Sequence, residues 1–189
     1  MDNARIELIF DYDRAMRNVY RYQTIHTVRK QNVAEHSNFV GILFIEICRD
    51  EGCGIDTCDI LYVMRHDLME TITGDLPYPV KESIKEEWET AERRLSLKNR
   101  YLPYYTDKSC PFKDDKTKYT IFNAAEAIEV LMFCLEELEA GNRHEDIIKI
   151  VEQYTNSLTT FCVGIDSISR ICSVLFDQIS KQLNCVVGK

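Results

Sequence analysis

The sequence predicts an all-α fold, a compact single-domain helical bundle of six or seven helices. Three observations carry that reading. Apolar residues recur at helical spacing in nearly every segment, and no run shows a convincing two-residue strand period. The chain of 189 residues is also 45% apolar, enough side chain to build a core.

The elements follow in order. Ile9, Tyr12, Met16 and Val19 step by three, four and three, which puts them on one face of a first helix. Val40, Leu43, Phe44 and Ile47 mark a second, and Phe39, Ile42 and Ile45 widen its apolar surface until a central position is expected. Gly52–Gly54 breaks the chain, and Asp56 or Thr57 caps a helix running to about Thr71. Gly74, Pro77 and Pro79 mark its end and a tight connection. The charged run Lys81–Lys98 is strongly helix-favouring, with Trp88 as its expected anchor to the core. Residues 99–118, with two prolines and Tyr101, Tyr104 and Tyr105, have no period and are expected to be a loop. Helix resumes from about Tyr119 to Ala140 and stops at Gly141-Asn142. Two last stripes follow, Ile147, Val151, Tyr154, Leu158 and Phe161, then Ile168, Ile171, Leu175 and Ile179. They suit either the core or a contact between two copies of the chain. No repeat or low-complexity tract interrupts this order.

Charge narrows the function. With 23 Lys+Arg against 31 Asp+Glu the net charge is −8, so no basic face is expected to coat DNA or RNA, although a local cationic cluster or a metal can still hold a small anion. The longest charge-free run, Gln153–Ile165, is short and largely polar, whereas a membrane span needs about 20 apolar residues. The first residues lack the basic-then-apolar plan of a signal peptide. A cytoplasmic protein without membrane or nucleic-acid partners is therefore expected. In that setting the eight cysteines are reduced thiols, and Cys53 and Cys58 have no second pair at zinc-ribbon spacing.

Three separated places hold polar groups that a purely structural bundle does not need. They are Glu35-His36-Ser37, the run Arg65-His66-Asp67-Leu68-Met69-Glu70 followed by Thr73-Gly74-Asp75-Leu76-Pro77, and Glu126 with Glu129. Imidazole and carboxylate both ligate divalent transition metals, and crossing helices commonly build such sites. His66 and Asp67 can reach one ion, His36 can supply a third ligand, and a carboxylate from a third helix a fourth. Glu70 follows His66 by one turn, beside such an ion, where a general acid or base is wanted. His26 and His144 read as surface or helix-end residues. No Gly-rich phosphate loop is present, so ATP-driven chemistry gets no support.

Read in order, the motifs Arg21-Tyr22, Asn32-Val33-Ala34-Glu35-His36-Ser37, His66-Asp67-Leu68-Met69-Glu70, Thr73-Gly74-Asp75-Leu76-Pro77-Tyr78-Pro79 and Ala125-Glu126-Ala127 resemble the HD-domain phosphohydrolases. Within them, the string is similar to the YfbR-like bacterial 5′-deoxynucleotidases. The resemblance runs from about residue 12 to 143 of a single 1–189 domain, with C-terminal helices over about 144–185.

The resemblance implies a metal-dependent hydrolase that releases phosphate from 2′-deoxynucleoside 5′-monophosphates. It implies one divalent transition metal (Mn, Co, Ni, Fe, Zn or Cu) held by His36, His66, Asp67 and Glu126. Arg21 would orient the phosphate and Glu70 would be the catalytic acidic residue. Tyr22 would stack on the base, Asp75 would lie near the sugar 3′-hydroxyl, and His36, Asp67, Leu76, Pro77 and Tyr78 would also meet the substrate. A homodimer is implied as well. Four features depart from the family pattern: Glu126 stands where Asp is usual, Tyr22 replaces Trp, Tyr78 replaces a smaller residue, and the Lys81–Tyr119 segment is shorter. These departures leave open an HD-type hydrolase of deoxynucleoside triphosphates or nucleotide analogues, and a non-catalytic module that binds nucleotide or metal.

Overall fold

The computed structural model describes residues 6–98 and 110–184. Among them the chain is helical and contains no strand, only an isolated antiparallel bridge between Tyr20 and Asn32. A π-helical segment, Leu8–Asp13, and a 3-10 turn, Ala15–Asn18, precede the α-helices. The helices are α1 Val33–Asp50, α2 Thr57–Arg65, α3 Glu70–Thr73, α4 Tyr78–Ser83, α5 Lys85–Lys98, α6 Lys116–Glu139, α7 Glu145–Phe161 and α8 Asp166–Asn184.

Helix α6 is the centre. Ile121, Ala124, Ala125, Ile128, Leu131, Cys134 and Leu138 are fully buried, and α1, α7 and α8 pack around it. A helix buried nearly all round belongs inside a bundle. The expectation that α1 would be central is corrected: its Phe39 and Ile42 are 44% and 48% exposed, and only the Val40, Phe44 and Ile47 side faces the core. Where α1 crosses α2, Gly41 lets the helices approach, because a Cβ there would stand 3.2 Å from Met64 Cγ.

Other boundaries differ for local reasons. The π turn, closed by Arg14 N–H on Ile9 C=O, shifts the register of the first segment. Of the expected stripe Met16 is buried and Tyr12 and Val19 pack on the same cluster, but Leu8 takes the buried position in place of Ile9, which is exposed. The helix expected to reach Thr71 stops at Arg65, and three-residue turns carry the chain through His66–Met69 into α3. Gly74 (φ +73°) then reverses the backbone towards Asp75, a conformation that favours glycine. Helix already begins at Tyr78, with Pro79 in the first turn, where its missing N–H costs nothing. The Asp115 side chain accepts from Lys118 N–H and starts α6 at Lys116, inside the expected loop, and Cys110 and Phe112 from that loop are core residues. Tyr101, Tyr104 and Tyr105 lie outside the described residues. Trp88 joins neither hydrophobic cluster, and Leu95 packs α5 against the smaller one.

Of the two C-terminal stripes, Ile147, Val151, Leu158, Ile168, Leu175 and Ile179 are buried in the core. The seven described cysteines are free thiols. No helix among the described residues is long and apolar enough to cross a membrane.

Candidate metal centre

The first turn of α1 sets one side of the site. Asn32 caps it by accepting Glu35 N–H at 2.9 Å, and His36 follows, buried. The His36 Nδ1–H donates to Glu129 Oε2 of α6, which leaves Nε2 as a bare lone pair. Burial, then the nearby Arg21 cation, pushes the His36 pKa below its ordinary value and keeps the ring neutral, as a metal ligand must be.

His66 and Asp67 come from the turn that ends α2. The His66 Nδ1–H donates to the Val63 carbonyl at 2.6 Å, which turns Nε2 towards the cluster. That Nε2 is buried and has no hydrogen-bond partner, yet it faces Asp67 Oδ2 at 3.3 Å and Glu126 Oε1 at 3.2 Å. His36 Nε2 stands 3.7 Å from the same Asp67 oxygen. One atom each from His36, His66 and Asp67 falls within 4.8 Å of the others, and Glu126 closes on His66 from α6. An orphaned imidazole nitrogen between two carboxylates fits a divalent cation. The charges agree. Burial opposes a charged His66, but Asp67 and Glu126 outweigh it and raise its pKa well above the usual value. Burial likewise opposes the Asp67 carboxylate, and His66 more than offsets it and lowers that pKa.

Arg21 and Glu70 flank this cluster. Arg21 Nη1 donates to Gln31 Oε1 (3.0 Å) and Glu129 Oε2 (3.3 Å). Glu70 is 4% exposed; its Oε1 accepts from Lys81 Nζ at 2.6 Å, and its Oε2 is buried without a partner. Burial, reinforced by the Asp67 charge, pushes the Glu70 carboxyl up to about 8, while Lys81 pulls the other way. Glu70 is thus a carboxylic acid able to hold its proton at neutral pH.

Tyr22 and Asp75 meet next to these groups. Tyr22 N–H donates to Asp75 Oδ2 at 3.1 Å, with the Tyr22 backbone at φ +59°, a left-handed conformation that costs a non-glycine residue about 1–2 kcal/mol. The Tyr22 ring lies flat on Phe133, 4.6 Å between centroids at 8°, while Tyr22 also lines the cavity. Burial raises the Asp75 pKa, against the pull of Arg21 and Lys81. The Tyr78 side chain lies outside the described residues.

All these groups open on one cavity of about 780 Å³, within the range of about 300–1,000 Å³ usual for ligand sites. Arg21, Tyr22, His36, Asp67, Glu70, Asp75, Leu76, Pro77 and Glu126 line it; His66 backs the cluster from inside. His26 and His144 lie against each other outside it, 5.7 Å between centroids with the rings tilted by 50°.

Sequence reasoning gave no role to Glu129, Gln31 or Lys81. Glu129 lies one turn after Glu126, and that spacing was the available signal; Gln31 donates to Glu129 Oε1 at 2.6 Å and holds it in place. The contribution of α7, whose Ile150, Gln153, Tyr154, Ser157 and Phe161 form a cavity wall, had no signal at all. Its stripe looks the same whether it faces a core or a pocket.

Residues 9–165 match the family model described as "5'-deoxynucleotidase YfbR-like". A 5′-deoxynucleotidase of Photobacterium profundum is 32% identical over 148 residues, 69% of this chain and 74% of the relative. The 5′-deoxynucleotidase YfbR of Salmonella typhi is 31% identical over 148 residues, covering 71% and 74%. Among solved structures, an HD-domain phosphohydrolase from Listeria innocua superposes with a TM-score of 0.74 at 18% identity, over 93% of this chain and 90% of that one. The cyanophage S-2L HD phosphohydrolase DatZ, bound to dA and one catalytic Zn²⁺, gives 0.63 at 16% identity, over 91% and 96%. The fold is therefore that of the HD-domain phosphohydrolases, and the chain belongs to the YfbR-like 5′-deoxynucleotidase family.

Proposed function

We propose that this protein hydrolyses 2′-deoxynucleoside 5′-monophosphates to the nucleoside and phosphate with the help of a divalent metal. The observation that carries the reading is the buried, unpartnered His66 Nε2 facing Asp67 and Glu126, beside a cavity that Arg21 and Lys81 also line. His36, His66, Asp67 and Glu126 would hold the ion. When bound, it supplies Lewis-acid charge and lowers the pKa of water to near neutrality.

The chain's own groups do the rest. The planar Arg21 guanidinium, anchored at Nη1, orients the phosphate by paired hydrogen bonds. Water attacks phosphorus as the P–O5′ bond breaks; the leaving 5′-oxygen takes a proton from Glu70, and the proton released by the attacking water restores that of Glu70 through solvent. Lys81 holds Glu70 in place, and the charge of Lys81 keeps that proton labile. Asp75, fixed by Tyr22 N–H, stands where the sugar would follow the phosphate. Leu76 and Pro77 line this side, and a substrate contact from Tyr78 and a homodimer of a cytoplasmic, single-domain enzyme are the remaining parts of the reading.

The test is phosphate release by protein stripped of metal and reloaded with Mn²⁺ or Co²⁺. The substrates are deoxy- and ribonucleoside mono- and triphosphates, with Asp67→Ala as control. Turnover of deoxymonophosphates, absent in the variant, supports the reading. Turnover confined to triphosphates moves the protein to the other hydrolase class, and metal binding without any turnover makes it a binding module.

A further inference from the structure

Helix α7 carries one broad apolar face. Ile147, Val151 and Leu158 point into the core, while Ile150, Tyr154 and Phe161 are half-buried and line the cavity. The edge of the face that carries Ile150, Tyr154 and Phe161 packs against the rim of the core and at the same time lines the space in front of the candidate metal centre.

A nucleotide whose phosphate lies between the metal cluster and Arg21, with its sugar by Asp75, must extend its base into the rest of that cavity. The wall expected to receive it, the Tyr22 ring, already has one face stacked on Phe133. Tyr154 and Tyr22 both line this cavity. Flat apolar bases pack well on aromatic and branched aliphatic surface, and such contact is tolerant of base identity but grows with ring area.

Building on the hydrolase reading above, we propose that Tyr154 of α7, with Ile150 and Phe161, forms the wall on which the nucleobase packs. The wall favours purine over pyrimidine deoxynucleotides, because the larger ring covers more of it. It makes base contact, and not only the phosphate and sugar, part of substrate selection.

The test compares dAMP, dTMP and the base-free 2-deoxyribose 5-phosphate on Mn²⁺-loaded wild type, Tyr154→Ala, Tyr154→Leu and Tyr154→Phe. Both phosphate release and equilibrium binding are measured. The expected result is a fall of about tenfold in the dAMP to 2-deoxyribose 5-phosphate ratio of kcat/KM in the Ala and Leu variants, carried by KM, with a smaller fall for dTMP. Tyr154→Phe, which keeps the ring, retains the preference for dAMP. Equal losses on dAMP and the base-free sugar, or none on either, overturn the wall. If the wild type releases no phosphate from any substrate, the hydrolase reading fails, and the wall is judged on binding alone. Wild type binding dAMP no more tightly than the base-free sugar then overturns it too.

Discussion

Glu129 of α6 accepts the Nδ1 proton of His36 of α1, 93 residues earlier in the chain. The same carboxylate is gripped by Gln31 at 2.6 Å and Arg21 at 3.3 Å. His36, Arg21 and Glu129 therefore form one network, in which the group that fixes the ring also anchors the phosphate-facing guanidinium. Burial opposes the Glu129 charge, but the hydrogen bond from His36 and the Arg21 cation more than compensate and lower its pKa.

Removing that carboxylate should loosen both functions. Glu129→Ala is expected to weaken Mn²⁺ binding about 10–100-fold, the usual cost of losing a partner that orients a metal-ligating histidine. Titration calorimetry measures this, with circular dichroism confirming the fold. Unchanged metal affinity would separate Glu129 from the centre.

Asp67 lies between the two histidines, 3.3 Å from His66 Nε2 and 3.7 Å from His36 Nε2. Asp67→Ala should abolish stoichiometric metal binding and turnover together. Retention of one bound metal per chain by elemental analysis would contradict the assigned ligand set.

Glu70 should separate metal binding from turnover. Glu70→Ala is expected to keep metal content while kcat falls about 10²–10⁴-fold, the usual contribution of general acid catalysis. Normal kcat would remove Glu70 from the scheme.

The pH profile follows from the same residue. The acid acts in its protonated form, so kcat should fall as pH rises through the Glu70 pKa, raised to about 8 by burial and by Asp67. A bound cation stabilises the carboxylate and moves this limb lower. Lys81→Met removes the positive charge that opposes the shift and should move the limb upward, whereas Glu70→Gln should abolish it. A limb that survives in Glu70→Gln belongs to another group.

Glu137 tests how the Arg21-bearing segment is held. This fully buried carboxylate accepts the backbone N–H groups of Val28 and Arg29, both at 2.7 Å, and Asn142 Nδ2 at 2.6 Å. Glu137→Ala leaves those donors short of an acceptor, at about 3 kcal/mol. For a chain of this size that corresponds to a fall in Tm of about 6–12 °C, measured by calorimetry. A shift under about 2 °C would show that water replaces the carboxylate at little cost.

The all-α class and the grouping of His36, His66 and Asp67 were legible in the one-dimensional pattern, because helical periodicity and a short ordered string of His, Asp and Glu are local properties. Asn32 capping ahead of His36, and His66-Asp67 three residues before Glu70, are written in neighbouring positions. Contacts that depend on which helices cross were not. The π turn after Leu8 moved the buried face away from Ile9. The burial of α6, not α1, and the pairing of Glu70 with Lys81 follow from three-dimensional packing. Glu129 could be seen beside Glu126, but only the crossing of α1 and α6 made it the partner of His36 while Glu126 turned to His66. The same holds for Tyr22 and Tyr154: an aromatic residue at a helical or loop position reads alike whether it packs on Phe133, on a core or on a ligand, since burial is decided by what the rest of the chain brings to its other side.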